Sequence, residues 1–192
     1  MAEERVDYGD EGFIYLMALQ QEKPAHVNDI RNGYIIIDDE EIPFKKNGIL
    51  DGRMTITMPE VFNVMSTESA EQKYGAEDRP DTIYTFDNND VSFTLTYKEG
   101  LLTEDEDIPD VKDVTQRMIA RSLTDSKIIE SKVLEANGRT YAYFDFAGDI
   151  YSLIFFFSLD GCLIMGSFEC LRSCMNDWRP VLLQMLASIE EC

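Results

Sequence analysis

The side chains able to carry chemistry are few, and their spacing does not assemble a reaction centre. The single histidine, His26, follows Pro24 in a stretch with no clear periodicity. Ser-His-Asp or Cys-His machinery would need that one imidazole, and a lone His beside a Pro-containing turn is expected to be a surface residue. Ser167 stands in Gly166-Ser167-Phe168-Glu169, which lacks the second Gly of a nucleophile elbow and continues a strand pattern. Among the cysteines (Cys162, Cys170, Cys174, Cys192), Cys170 and Cys174 could pair or supply two zinc ligands. No His lies nearby and no second Cys pair follows at finger spacing, so free thiols are expected, with Cys162 and Cys170 as small buried hydrophobes. Asp87-Asn88-Asn89-Asp90 resembles the start of a calcium loop. Ser92 and Lys98 occupy the positions where the sharp-turn Gly and the bidentate Glu belong, so the run predicts a turn. There is no Gly-rich phosphate loop and no dinucleotide fingerprint. No catalytic, metal or cofactor-binding residue is assigned, and no cofactor is expected.

Carboxylates are the exception, because 37 Asp and Glu stand against 17 Lys and Arg, a net charge of -20. That many acids guarantees close pairs. A carboxylate-based hydrolase therefore stays open as an alternative, provided two acids share a cleft with separated pKa values. The same field repels phosphate backbones and anionic lipid heads, which argues against nucleic acid as a partner. A protein with a basic surface fits the charge; simple solvation of one face is the plain alternative. The densest run lies between Glu99 and Asp110, with six acids and no base. Its centre, Glu104, Asp105, Glu106 and Asp107, is the first candidate protein-binding surface. Tyr141 and Tyr143 are the second, since they alternate onto one strand face with Arg139 and Asp145. Tyrosines in such a pattern also lie beneath helices with the hydroxyl at the rim, and that core reading is favoured here.

The elements that must position these groups are best defined in the last third. Ile128–Ala136, Arg139–Ala147, Ile150–Leu159 and Cys162–Cys170 are separated by Asn137-Gly138, Gly148-Asp149 and Asp160-Gly161. Two-residue turns of these kinds predict a four-stranded antiparallel meander. In Tyr151–Phe157 both alternating faces are apolar, so that strand must be covered on both sides, with helices above and below. A last helix carries Val181, Leu182, Met185, Leu186 and Ile189 as its packing stripe, with Asn176 or Asp177 as cap and Pro180 in the first turn.

Upstream, Arg53–Met58 alternates as a half-buried strand, with Met54 and Met58 in the core. Pro59 is placed to open a helix bearing Val61, Phe62, Val64 and Met65 and fading by Gly75. Thr82–Asp87 and Val91–Lys98 predict paired strands, the second with Ser92, Thr94, Thr96 and Lys98 facing solvent. Asp110 is expected to cap a helix that turns Val111, Val114, Met118, Ile119 and Leu123 inward. Residues 1–48 form an extension of the same domain with short strands: Phe13–Leu19 is an ambiguous apolar run, Tyr34–Ile37 a strand, Asp38–Glu40 a turn, and Ile42–Lys45 the return. Residues 49–192 form the main body.

This order of elements, from the strand entering Met58-Pro59 through the Asn137-Gly138 and Asp160-Gly161 turns to a helix ending Ser188-Ile189, resembles the Mog/PsbP-like fold over residues 49–192. The resemblance implies an α+β protein, an antiparallel sheet with helices on both faces (an α/β/α sandwich). It also implies a role as adaptor or chaperone without catalysis, and it carries over no site residue.

No apolar run approaches the ~20 residues of a membrane-spanning helix, and Met1-Ala2-Glu3-Glu4-Arg5 has the wrong charge for a signal peptide. A bacterial, cytoplasmic, non-catalytic protein-binding module is the expectation. An inhibitor or immunity-type protein capping a basic partner is the alternative. The sequence says nothing of the oligomeric state.

Overall fold

The computed structural model describes residues 28–75, 79–86, 91–123 and 126–192. The expectations for Phe13–Leu19, His26 and Asp87–Asp90 lie outside the described residues.

The meander forms as expected, but the two-residue turn expected at Gly148-Asp149 is a three-residue link, since Ala147 pairs with Tyr151. β7 (Lys127–Ala136), β8 (Arg139–Ala147), β9 (Ile150–Leu159) and β10 (Cys162–Leu171) pair antiparallel in sequence order. Asn137-Gly138 and Asp160-Gly161 both hold positive φ at both turn positions, the geometry whose twist matches antiparallel strands. β10 then pairs with β6 (Val91–Leu102), followed by β5 (Thr82–Phe86) and the two-residue β4 (Asn63–Val64). The seven-stranded order is β4-β5-β6-β10-β9-β8-β7.

A second, four-stranded sheet has the order β1-β2-β3-β11, with β1 at Tyr34–Ile37, β2 at Glu40–Ile49, β3 at Met54–Pro59 and β11 at Glu190–Glu191. Asp38 and Asp39 turn β1 into β2 with positive φ, the expected turn. β2 runs through position 48, so residues on either side of it share one strand.

The large sheet is buried on both faces. On one, Tyr151, Leu153, Phe155 and Phe157 of β9 meet Val181, Leu182, Met185 and Leu186 of helix α3 (Met175–Ala187), together with Ile35, Ile49, Met54 and Ile56 of the small sheet. On the other, Phe144, Phe156 and Leu163 meet Ile108, Val111 and Ile119 of helix α2 (Ile108–Ser122). Helix α1 (Thr67–Tyr74) covers that same face over β5 through Ala70 and Ile83. The fold is therefore α+β, antiparallel sheet between helices, with the small sheet sharing one layer with α3. Gly166 allows this packing on β10. A Cβ there would lie 2.1 Å from the Phe155 ring.

Three local expectations are corrected. Pro59 ends β3, and the helix begins only after Ser66, whose side chain accepts the Ser69 N–H; Phe62 is buried while Val61 and Val64 stay exposed. The Ser92/Thr94 face of β6 is buried: Thr94 bonds Ser167 at 2.9 Å, and Ser92 bonds Glu169. Small hydroxyls that satisfy one another can be covered without desolvation loss. Finally, α3 starts at Met175, so Pro180 falls in its second turn.

One buried ionic network fastens α3 to the sheet. Asp145 of β8 is fully buried, and Arg179 Nε donates to its Oδ2 at 2.6 Å. Tyr151 Oη donates to the same oxygen at 2.9 Å, and the Glu130 N–H donates to Oδ1 at 2.7 Å. Arg179 Nη2 and Tyr143 Oη both donate to Glu130 Oε2, at 2.9 and 2.6 Å. Burial, and then the neighbouring Asp145 carboxylate, push the Tyr151 hydroxyl well above the usual phenol range.

Removing one member strands the others in a dry site. Asp145→Ala should cost about 3–5 kcal/mol in urea unfolding, since it leaves Arg179 without its buried partner. Lys132 first, then Tyr143 and Arg179, hold the Glu130 carboxyl down to about 2. A depressed folded-state pKa means that the folded state binds fewer protons, so this stabilisation is present above about pH 4.5 and is lost as pH falls toward 2. Thermal melts should show this loss, and Glu130→Gln should flatten it.

Candidate functional site

α2 stands over β8 and β9 and leaves part of the sheet uncovered. Between α2 and the β6–β10 pair runs a groove of about 640 Å³, floored by Phe156, Leu163 and Met165 and walled by Leu101, Val111 and Val114. It leads on, past the shared Lys98 and Met165, to a second hollow of about 350 Å³ toward α1. Val114 and Met118 were expected inside. They are 49% and 63% exposed, and Leu101 is 50% exposed. The apolar stripe of α2 is wider than the surface beneath it. Ile108, Val111 and Ile119 take the sheet, and Val114 and Met118 are left on the flank.

The acids lie at the mouth of this groove, around the entrance to α2. A 3-10 turn, Asp105–Asp107, leads directly into the helix. Asp107 Oδ2 accepts the Glu104 N–H at 3.0 Å, a reciprocal cap that satisfies a backbone donor. Carboxylates at this end also complement the positive pole of the helix. Pro109 follows in the first turn, and Asp110 lies inside the helix rather than capping it. Asp107 and Asp110 both line the groove, while Glu104 and Glu106 are exposed beside it. Lys98 is the only basic residue among those lining it.

Asp105 differs from its neighbours. Its Oδ1 accepts from Ser158 Oγ, and its Oδ2 accepts the Thr140 N–H at 3.4 Å. The Ser158 carbonyl in turn accepts from Arg139, whose Nη2 reaches Glu191 at 2.5 Å. Asp105 therefore pins the acidic turn to the sheet, leaving Glu104, Glu106, Asp107 and Asp110 facing outward.

Tyr141 and Tyr143 do not contribute a surface. Both are buried, with the Tyr141 hydroxyl donating to the Ile189 carbonyl at 3.0 Å and the Tyr143 hydroxyl to Glu130. Burial pushes the Tyr141 hydroxyl up to about 12. The favoured core reading describes their position, and they stand apart from the acidic turn. Cys170 is buried and free, its thiol pushed up to about 12 by burial and then by Cys174. A thiol so raised is a poor nucleophile and metal ligand.

The groove residues Leu101 and Val114, and the exposed Met118 on the flank of α2, were the ones sequence reasoning missed. The signal was present as an apolar surplus in α2. Its reading as core depended on how much sheet the helix covers, which sequence does not show.

Comparison with solved structures identifies the fold. The chain is similar to the cyanobacterial PsbP protein (CyanoP) of Synechocystis sp. PCC 6803, with 12% identity over 78% of this chain and 92% of that one, and a TM-score of 0.57. It is also aligned with the Ran-binding protein Mog1p of Saccharomyces cerevisiae, at 13% identity over 77% of this chain and 95% of that one, TM-score 0.45. A Pseudomonas aeruginosa protein of unknown function aligns at 11% identity over 76% of this chain and 94% of that one, TM-score 0.41. The fold is of the Mog/PsbP-like type. No protein-family model matches, and no curated protein matches in sequence. Among the described residues no helix is long and apolar enough to cross a membrane.

The acids should separate by role when substituted. Asp105→Ala is expected to cost about 1–2 kcal/mol in denaturant unfolding, because it leaves the Ser158 hydroxyl and the Thr140 N–H without their partner. Glu106→Gln should stay within about 0.5 kcal/mol of the parent.

Proposed function

We propose that this chain is a non-catalytic protein-binding module, an adaptor or chaperone, and that the groove beside α2 receives the partner. One observation carries the reading: a groove whose apolar wall, Leu101 and Val114, is exposed to solvent beneath a rim of outward-facing carboxylates. Its complement is a segment that presents apolar side chains flanked by Lys or Arg. The apolar contact would supply most of the affinity, and the acids would steer the approach and set the orientation.

Mog1p is named as Ran-binding, a property of that protein. The hydrolase alternative would need a general acid and a general base held in different environments. Asp107 and Asp110 share the groove, but Asp107 already accepts the Glu104 N–H of the 3-10 turn, and both are exposed. A cytoplasmic setting, where free thiols persist, belongs to the same proposal.

A binding assay with a defined probe tests it. An amphipathic peptide with leucines on one face and lysines on the other should bind the parent chain, and more weakly as salt rises. Leu101→Glu with Val114→Glu should abolish binding without unfolding the chain. Glu104→Gln with Glu106→Gln should weaken it several-fold and reduce its salt dependence. Equal binding by all three chains would reject the groove.

A further inference from the structure

Among the described residues, β7 is the long edge strand of the seven-stranded sheet, with no strand paired on its outer side. The opposite edge, β4, has two residues, whereas β7 has ten and contains no Pro. Proteins usually blunt such an edge, because its unpaired N–H and C=O groups form a template for another strand. α2 does not cap it: Lys112 and Gln116 reach the Ser131 hydroxyl, at 2.8 and 2.7 Å, and Ser131 pairs with Phe144 on the face that α2 covers.

The sequence of this edge is symmetric about Ser131 in a particular sense. Lys127-Ile128-Ile129-Glu130-Ser131-Lys132-Val133-Leu134-Glu135 reads outward from its centre as apolar matched with apolar and acid matched with base. If a second copy runs antiparallel with Ser131 opposite Ser131, Glu130 faces Lys132, Ile129 faces Val133, Ile128 faces Leu134 and Lys127 faces Glu135. Shifting the register by two residues sets Lys132 against Lys132 or Glu130 against Glu130.

The backbone has the matching phase. The two-residue turn at Asn137-Gly138 makes Ala136 and Arg139 a hydrogen-bonded pair. Ala136, Leu134 and Lys132 thus direct their N–H and C=O groups to β8, and Glu135, Val133 and Ser131 direct theirs outward. A two-fold axis at Ser131 therefore forms a hydrogen-bonded pair at the axis itself. The bulge between Ile128 and Glu130 takes the two outermost pairs out of regular register. The five residues from Ile129 to Val133 carry the ladder. Ile129 and Val133, each 44% exposed, supply its apolar contact.

We propose that β7 is a homodimerisation edge, joining the large sheets of two copies by antiparallel pairing of β7 with β7 about a two-fold axis at Ser131. The occupant is a second copy because this strand, reversed on itself, places both charges of the ladder, Glu130 and Lys132, against their opposites and Ile129 against Val133. The long-range field opposes the association, since each copy carries -20. Salt should therefore strengthen the dimer, as it screens distant repulsion more than contact pairs.

Sedimentation equilibrium at about 0.15 M salt should give about 44 kDa, twice the 22.0 kDa chain. Val133→Pro removes an outward-directed N–H and no bond to β8, and Pro is tolerated on edge strands. It should yield a folded monomer whose melting temperature no longer depends on protein concentration. Should that variant unfold, Val133→Lys serves in its place. Ser131→Cys, in a Cys192→Ser background, should give a disulfide-linked dimer on mild oxidation, since Cα atoms in such a pair lie about 5.5 Å apart. A parent chain that remains monomeric at about 100 µM overturns the proposal. So does a dimer indifferent to substitution at Val133 and not linked through position 131.

Discussion

The constraint on which the structure turns is the cost of burying the Asp145 carboxyl group inside the protein. A carboxylate with no exposure is tolerated only if every oxygen is satisfied, and here Arg179, Tyr151 and the Glu130 backbone satisfy it. Each partner comes from a different element. Arg179 fixes the roll of α3, Tyr151 the start of β9, and Glu130 the bulge of β7. A misplaced α3 would bury the same apolar stripe, but it would strand a charge. The network thus selects one seating among several that hydrophobic packing alone would accept.

This arrangement separates what pattern reveals from what it hides. The meander was legible because Asn137-Gly138 and Asp160-Gly161 specify their turns locally, without help from the rest of the chain. β9 was legible as a covered strand because Tyr151 to Phe157 is apolar on both alternations. The core place of Tyr141 and Met54 followed from alternation as well. What escaped was everything decided by coverage. Ser92 and Thr94 look like a solvent face until Ser92 meets Lys73 and Tyr74 of α1 and Thr94 meets Ser167 of β10. Val114 and Met118 look like core until α2 proves too narrowly supported to bury them. Pro59 shows a third limit. It suits a helix start and a strand end equally, and the small-sheet pairing with Phe44 decides it.

The acidic run illustrates how one compositional feature divides into several jobs. Asp105 is a structural acceptor, Asp107 holds the Glu104 N–H of the 3-10 turn, and Glu104 and Glu106 are part of the exposed rim. Charge counting treats the four alike. Their positions relative to the first turn of α2 distinguish them, and only the outward members can meet a partner. The groove they border exists because α1 and α2 cover the two ends of one sheet face and leave its middle to small hydroxyls and Met165.

The small sheet carries a consequence for the order in which the molecule can be completed. β3 is bordered by β2 on one side and by Glu190–Glu191 on the other, and the Cys192 N–H donates to the Arg53 carbonyl at 3.0 Å. On a ribosome, β3 emerges early, but its second neighbour is made only after the whole meander and α3. Until then one flank of the small sheet stands open, with Ile49, Met54 and Ile56 lacking the helix that later covers them. A nascent chain of this design needs β1 to β3 kept apart from other chains until α3 and Glu190–Glu191 have been made.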